Sequence, residues 1–244
     1  MLPILLKVSE KFMKFKKWFF ESIVQQESGK NNDFDKKEIV VLVGPPAIGK
    51  STYIANKFPK NSVYIVNRDD IVDEVSGSMG LTYDNMFETP PDDAIVGKEL
   101  PGKEKFGVVL EAPPWMKWAK KVYSNVQEAN NLINKKLEER FKGAVNSGKH
   151  IIVDMTNMTV GARKSALKYV EGKDYFKRAV VFTLKDSDLP KLIQRMKTRS
   201  ELIKSQGGSK TIGEDVINRM IKSFQQVSPE EGFDRIDSIY SFTP

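Results

Sequence analysis

The sequence predicts an α/β fold with a parallel sheet, and three observations carry that reading. Ile39-Val40-Val41-Leu42-Val43 is an unbroken apolar run, as expected of a strand covered on both faces. Shorter apolar runs at Val63–Val66, Ile151–Val153, Ala179–Thr183 and near Ile236–Phe242 alternate with stretches of helical period, and strands that alternate with helices pair in parallel. A glycine loop, GPPAIGKS at 44–51, joins the first run directly to a helix.

Along the chain, Val8, Phe12, Phe15, Phe19 and Ile23 recur at helical spacing over 1–26, with Lys7, Lys11, Lys14 and Lys17 alongside. The pattern predicts an amphipathic helix that packs on the body or binds a partner. A polar linker completes residues 1–37, and the main domain is expected over 38–244. Its first helix is expected near Lys50–Phe58. Residues 78–115 are rich in Pro and Gly without a period and read as part of an insertion reaching about 147. A long helix follows Pro113-Pro114, with Trp118, Val122, Val126, Ala129, Ile133, Leu137 and Phe141 on one face and Gly148 ending it. Further helices are expected over Arg163–Val170, Leu189–Arg199 and Glu214–Gln226, the last opened by the capping box Thr211-x-x-Glu214. There is no internal repeat.

Composition removes several chemistries. With no cysteine, thiol catalysis, disulfides and cysteine-held metals are excluded, and His150 alone cannot make a multi-histidine metal site. The net charge of +7 favours polyanionic partners. No apolar run is long enough to span a bilayer, and the start lacks a charged leader and cleavage site, so a soluble, cytoplasmic protein is expected.

GPPAIGKS matches G-x-x-x-x-G-K-[ST], the phosphate-binding P-loop. Gly44 and Gly49 let backbone N–H groups turn inward around phosphates, with Pro45, Pro46, Ala47 and Ile48 completing the cradle and Thr52 following it. The next helix aims its positive N-terminus at the same charge. Lys50 neutralises the β- and γ-phosphates of ATP, and Ser51 offers its hydroxyl to Mg²⁺.

Two carboxylates follow strands. Asn67-Arg68-Asp69-Asp70 comes after the second strand, where a carboxylate can take the proton of an attacking hydroxyl. Asp69 is the candidate general base; an Asp pair after a strand also reads as a helix N-cap, with Asp70 nearer that role. Asp154, in D-M-T-N at 154–157, ends an apolar strand and is the candidate second Mg²⁺ carboxylate. Arg68, Asp70, Thr156 and Asn157 are expected to line the acceptor cleft. Lys191, Arg195, Lys197 and Arg199 cluster on one expected helix ahead of S-Q-G-G-S-K at 205–210. The segment 195–211 reads as a lid bringing arginine charge onto a transferring phosphate, or as a solvated charged face.

These motifs in this order, G-P-P-A-I-G-K-S-T, N-R-D-D, D-M-T-N and R-x-x-x-R, resemble the phage-type polynucleotide 5′-kinase family from about Glu38 to Phe224, interrupted over 78–147. The resemblance implies a P-loop kinase fold with sheet order 2-3-1-4-5. It implies that Asp69 activates a 5′-hydroxyl, that Asp154 supports the metal and acceptor site, and that Arg195 and Arg199 are lid arginines with Arg199 over the phosphate. Val72 stands where that family places an arginine for the acceptor's terminal phosphate. A phosphatase motif D-x-D-G-T has no match, so no 3′-phosphatase activity is expected. The C-terminal half, through I-I-V-D-M-T-N, F-K-R-A-V-V-F and F-D-R-I-D-S-I-Y, is similar to the kinase-like domain of the heterogeneous nuclear ribonucleoprotein U group, known for RNA binding. The expected function is ATP-dependent transfer of phosphate to the 5′-hydroxyl of DNA or RNA. The alternatives are a kinase for a modified base, nucleoside or small metabolite, and a non-catalytic ATP-binding nucleic-acid module.

Overall fold

The computed structural model describes residues 36–59, 61–86, 114–208, 210 and 212–242, the side chains of 114–124 excepted. The helix expected over 1–26, most of the 78–115 insertion and Thr211 lie outside these residues. Among those described, no helix is long and apolar enough to cross a membrane.

The elements run β1 (Glu38–Val43), α1 (Lys50–Lys57), β2 (Val63–Val66), α2 (Arg68–Ser78), α3 (Pro114–Asn146), β3 (His150–Val153), α4 (Val160–Leu167), β4 (Phe176–Thr183), α5 (Leu189–Ser205), α6 (Glu214–Lys222) and β5 (Arg235–Tyr240). The five strands form one parallel sheet in the order β2-β3-β1-β4-β5. With flanking helices, this is the P-loop kinase fold and the order that the resemblance implied. Parallel neighbours require crossovers, which the intervening helices supply.

The chain divides into two compact units. The first holds the sheet, with residues 36–67, 141–199 and 212–242. Successive residues of β1 point to opposite faces, and all of Ile39–Val43 are fully buried, so both faces of the strand are covered. Val40, Leu42, Ile152, Val180 and Phe182 join Leu192 and Met196 of α5 and Ile217 of α6 in one core. Burying a side chain of this size stabilises by about 1.5–3 kcal/mol, so the sheet centre is the firmest part of the unit. Phe141 stacks on Tyr169 with centroids 4.3 Å apart, which fixes the end of α3 within this unit.

The second unit holds 68–86, the described part of 114–140, and 200–210. Ile71, Val72 and Val75 of α2 pack with Tyr83, Met86, Ala129 and Ile133. Glu74 pairs with Lys136 and, at 3.5 Å, with Arg140, tying α2 to α3 at the surface.

Several boundaries differ from expectation. α4 starts at Val160, because the Thr159 hydroxyl accepts the Ala162 N–H at 3.3 Å and caps it, and a 3-10 turn over Lys168–Val170 ends it. α5 runs six residues past Arg199, so most of the expected lid is regular helix. α6 begins at Glu214 behind Gly213, which makes no side-chain cap bond. Glu214 is thus the first helical residue, not the third, and cannot play the inner part of a capping box.

Candidate active site

β1 ends at Val43 in the middle of the sheet, and the glycine loop leaves from there. The Gly44 N–H donates to the Thr156 carbonyl at 2.9 Å, linking the loop to the segment after β3. A Cβ on Gly44 would stand 3.0 Å from the Phe182 Cβ and 3.1 Å from Ile48 Cγ2, so packing requires glycine there. Gly49 has φ +111°, which favours glycine for conformational reasons. Ile48 is fully buried and plugs the loop into the core beneath it. Lys50 reaches back across the loop, donating to the carbonyls of Gly44 at 2.8 Å and Pro45 at 2.9 Å. Ser51 and Thr52 are exposed in the first turn of α1, which holds no acidic residue to compete for its positive end.

Asp154 follows β3, the strand next to β1, and its N–H donates to Val66 at 2.9 Å, closing the ends of β2 and β3. The first unit therefore brings the glycine loop, Asp154 and Thr156 to the C-terminal ends of two neighbouring interior strands. Thr156 acts there through its carbonyl. Asn157 is 2% exposed, with φ +47°, and its amide donates to Leu42 at 2.8 Å and to Val153 and Met155 at 3.4 Å. It braces the ends of β1 and β3 from below and does not line a cleft, which corrects the sequence expectation. Arg163 continues the brace. It donates to the Asn157 carbonyl at 3.1 Å, to the Gln226 carbonyl at 3.1 Å, and by two 2.7 Å bonds to Glu231.

Arg195 and Arg199 lie one turn apart on α5 and are both exposed. The Arg195 guanidinium sits 4.3 Å over the Phe242 ring, a cation–π contact that orients it. The start of α5 is anchored by Asp188, whose buried carboxylate accepts from the Tyr240 hydroxyl at 2.7 Å and the Lys185 N–H at 2.9 Å. Burial alone would raise the Asp188 carboxyl. These two bonds and the nearby lysines outweigh it and hold the carboxyl below its usual range.

The second unit carries Arg68, Asp69 and Asp70. α2 begins at Arg68, so both aspartates lie inside its first turn and neither is the N-cap. Asp70 is exposed. Asp69 Oδ1 accepts from the Tyr83 hydroxyl at 3.2 Å, and Oδ2 pairs with Lys210 Nζ at 2.5 Å. Lys210 also lies 4.4 Å over the Tyr83 ring. Burial first, then the charge and hydrogen bond of Asp69, push the Tyr83 hydroxyl far above its ordinary value, so it stays a donor. Asp73 is pushed up by burial and by Asp69 and Asp70, against the opposing charge of Lys210. Val72 is fully buried in the core of this unit. Sequence reasoning missed Tyr83 and Lys210; Lys210 closes the glycine-rich S-Q-G-G-S-K stretch, and Tyr83 carried no signal.

The exposed Ser51 hydroxyl and the Asp154 carboxylate on the adjacent strand are hard oxygen donors of the kind Mg²⁺ takes. Among the described residues no group of three or more His, Asp or Glu could cage an ion. Mg²⁺ in nucleotide sites needs only one or two protein oxygens beside the phosphates, so the donor set fits.

A protein-family profile described as an AAA domain matches residues 39–227. No curated protein matches the chain. A solved structure from the PezAT chromosomal toxin–antitoxin system of Streptococcus pneumoniae is similar at 16% identity with a TM-score of 0.48, over 94% of this chain and 77% of that one.

Proposed function

We propose, from the premise that the chain belongs to the AAA domain family across residues 39–227, that it is a Mg²⁺-dependent kinase moving the γ-phosphoryl group of ATP onto a hydroxyl, with the 5′-hydroxyl end of DNA or RNA as acceptor. The observation that carries the kinase reading is Asp69, a carboxylate held by two donors three residues after β2. Within the first unit, the end of β2 is itself bonded to Asp154.

In this reading the loop N–H groups, the start of α1 and Lys50 hold the β- and γ-phosphates. Lys50 exchanges its bonds to the loop carbonyls for phosphate oxygens. Ser51 and Asp154 would hold Mg²⁺, which when bound neutralises charge on the phosphates. The acceptor oxygen forms a bond to the γ-phosphorus as the bond to the β–γ bridging oxygen breaks, and the hydroxyl proton passes to Asp69. Tyr83 fixes the carboxylate's orientation. Arg199, with Arg195, neutralises the charge that develops on the phosphoryl oxygens.

Burial of Val72 favours a second reading, in which the acceptor is a nucleoside, modified base or small metabolite. That helix position offers no cation to an acceptor phosphate. The test is transfer from γ-labelled ATP with Mg²⁺ to 5′-hydroxyl DNA, 5′-hydroxyl RNA, the same oligonucleotides already 5′-phosphorylated, and a nucleoside mixture. Label confined to 5′-hydroxyl ends, and lost in Asp69→Ala and Arg199→Ala, supports the first reading. Label on nucleosides or on 5′-phosphorylated oligonucleotides moves the acceptor. No label anywhere, with ATP bound, refutes both readings and leaves a binding module.

A further inference from the structure

A cavity of about 620 Å³ opens in the first unit among the starts of β1, β3 and β5 and the end of α1. The glycine loop lies at the other end of both β1 and α1, so the cavity is separate from it. Its volume is in the range that small molecules occupy.

The cavity's chemistry is built around Asp237, which is 6% exposed. One of its oxygens takes the Nε of Arg178 and the other takes the Nε of Arg235 at 2.7 Å. One carboxylate thus sets two guanidinium groups side by side by their Nε edges. Arg178 also reaches Glu38 at 3.8 Å. Across the whole lining, Lys36, Lys57, Arg178 and Arg235 stand against Glu38 and Asp237, four cations against two carboxylates. Lys36 is in addition paired with Asp174 at 3.3 Å.

The neutral donors agree in sign. His150 Nδ1 accepts the Glu38 N–H at 3.1 Å, so the proton of the neutral ring is on Nε2 and its other edge donates. Burial pushes the Tyr53 hydroxyl above its ordinary value, which keeps it a donor as well. Tyr53 and Phe58 meet edge to face with centroids 6.0 Å apart and make an aromatic wall. Surplus positive charge, two guanidinium groups held on one carboxylate and a ring wall suit an anion that carries a ring.

We propose that this cavity is a second binding site, distinct from the P-loop, for a small phosphate-bearing aromatic molecule of the nucleoside monophosphate class. Arg235 and Lys57 would take the phosphate and Tyr53 with Phe58 the ring.

The test uses the full chain with Mg²⁺ and a saturating non-hydrolysable ATP analogue, so that the P-loop is filled. AMP and, separately, inorganic phosphate are then titrated by calorimetry against wild type, Arg235→Glu and Lys57→Glu. The Arg235 side chain is 54% exposed and Lys57 is exposed, and equal thermal melts would show that both variants fold. The expected result is one AMP per chain, bound more tightly than phosphate and weakened about tenfold or more by either charge reversal. The ATP analogue's affinity should stay within about twofold in both variants. No AMP binding, or AMP binding indifferent to both reversals, would overturn the site. Phosphate binding as tight as AMP would overturn the aromatic-ligand assignment.

Discussion

Lys210 and Asp69, 141 residues apart in sequence, form an ion pair of 2.5 Å, and the Tyr83 hydroxyl occupies the carboxylate's other oxygen at 3.2 Å. A carboxylate held from both sides cannot rotate freely, and general-base catalysis depends on geometry before basicity. Asp69→Ala should lower phosphoryl transfer by about 10²–10⁴-fold while leaving ATP affinity nearly unchanged. Tyr83→Phe keeps the ring beneath Lys210 and removes one donor, so its loss should be smaller, about tenfold. Label transfer and equilibrium nucleotide binding, measured on the same samples, check both. Full activity in Asp69→Ala would remove it as the base.

The glycine loop gives a prediction on stability as well as binding. At Gly44 an added methyl group would meet the Phe182 Cβ at 3.0 Å and Ile48 at 3.1 Å. Neither neighbour is the free end of a long side chain, so Gly44→Ala should cost about 1–3 kcal/mol and weaken nucleotide binding by distorting the loop. Lys50→Ala should weaken nucleotide binding at less cost to the fold, because it removes a partly exposed side chain that donates to the Gly44 and Pro45 carbonyls and forces no atom into the core. Denaturant unfolding with and without ATP would separate the two effects.

How much of this was legible in the sequence follows from the range of each interaction. The buried run Ile39–Val43 and the loop after it are local patterns, and they announced the central strand and the glycine loop that leaves it. The place of Asp154 at the end of a strand was legible for the same reason, at the tip of an apolar run. The sheet order is not local, and it came from the resemblance. The Asp69–Lys210 pair spans 141 residues and could not be read from any window. Asn157 misled because its residue type suits a cleft, whereas its positive φ and the three carbonyls around it bury it. The N-cap alternative for the aspartates failed because α2 starts one residue before Asp69, a boundary that residue type alone does not decide.

Arg163 and Glu231 form the most deeply buried ion pair described, with side chains 0% and 4% exposed and two 2.7 Å bonds between them. Removing one partner leaves the other charge buried and uncompensated. Arg163→Ala should therefore destabilise the first unit by about 3–5 kcal/mol, roughly 6–20 °C in melting temperature. Replacing both partners with apolar residues of similar size should cost much less. Because Arg163 also holds the Asn157 carbonyl, the single variant should loosen the segment that carries Asp154 and weaken nucleotide binding. Thermal melts of the two single variants and the double variant form the check.

Asp188 supplies a pH-dependent contribution whose sign can be worked out. Burial favours the neutral carboxyl, but the bonds from Tyr240 and Lys185 and the nearby lysines favour the carboxylate more, so the folded value lies below the unfolded one. A group shifted in this direction gives its full stabilisation above the unfolded value, near pH 4, and loses it as pH falls through the folded value. Asp188→Asn should accordingly melt a few degrees below wild type at pH 7. The gap should narrow below about pH 4 and close in stronger acid, once the wild-type carboxyl is also neutral. Melting curves of both proteins across that range would show it. A gap that stayed constant down to the lowest pH would mean that Asp188 contributes by packing and not by charge, and that the start of α5 is held by the Tyr240 hydroxyl contact whatever the protonation state.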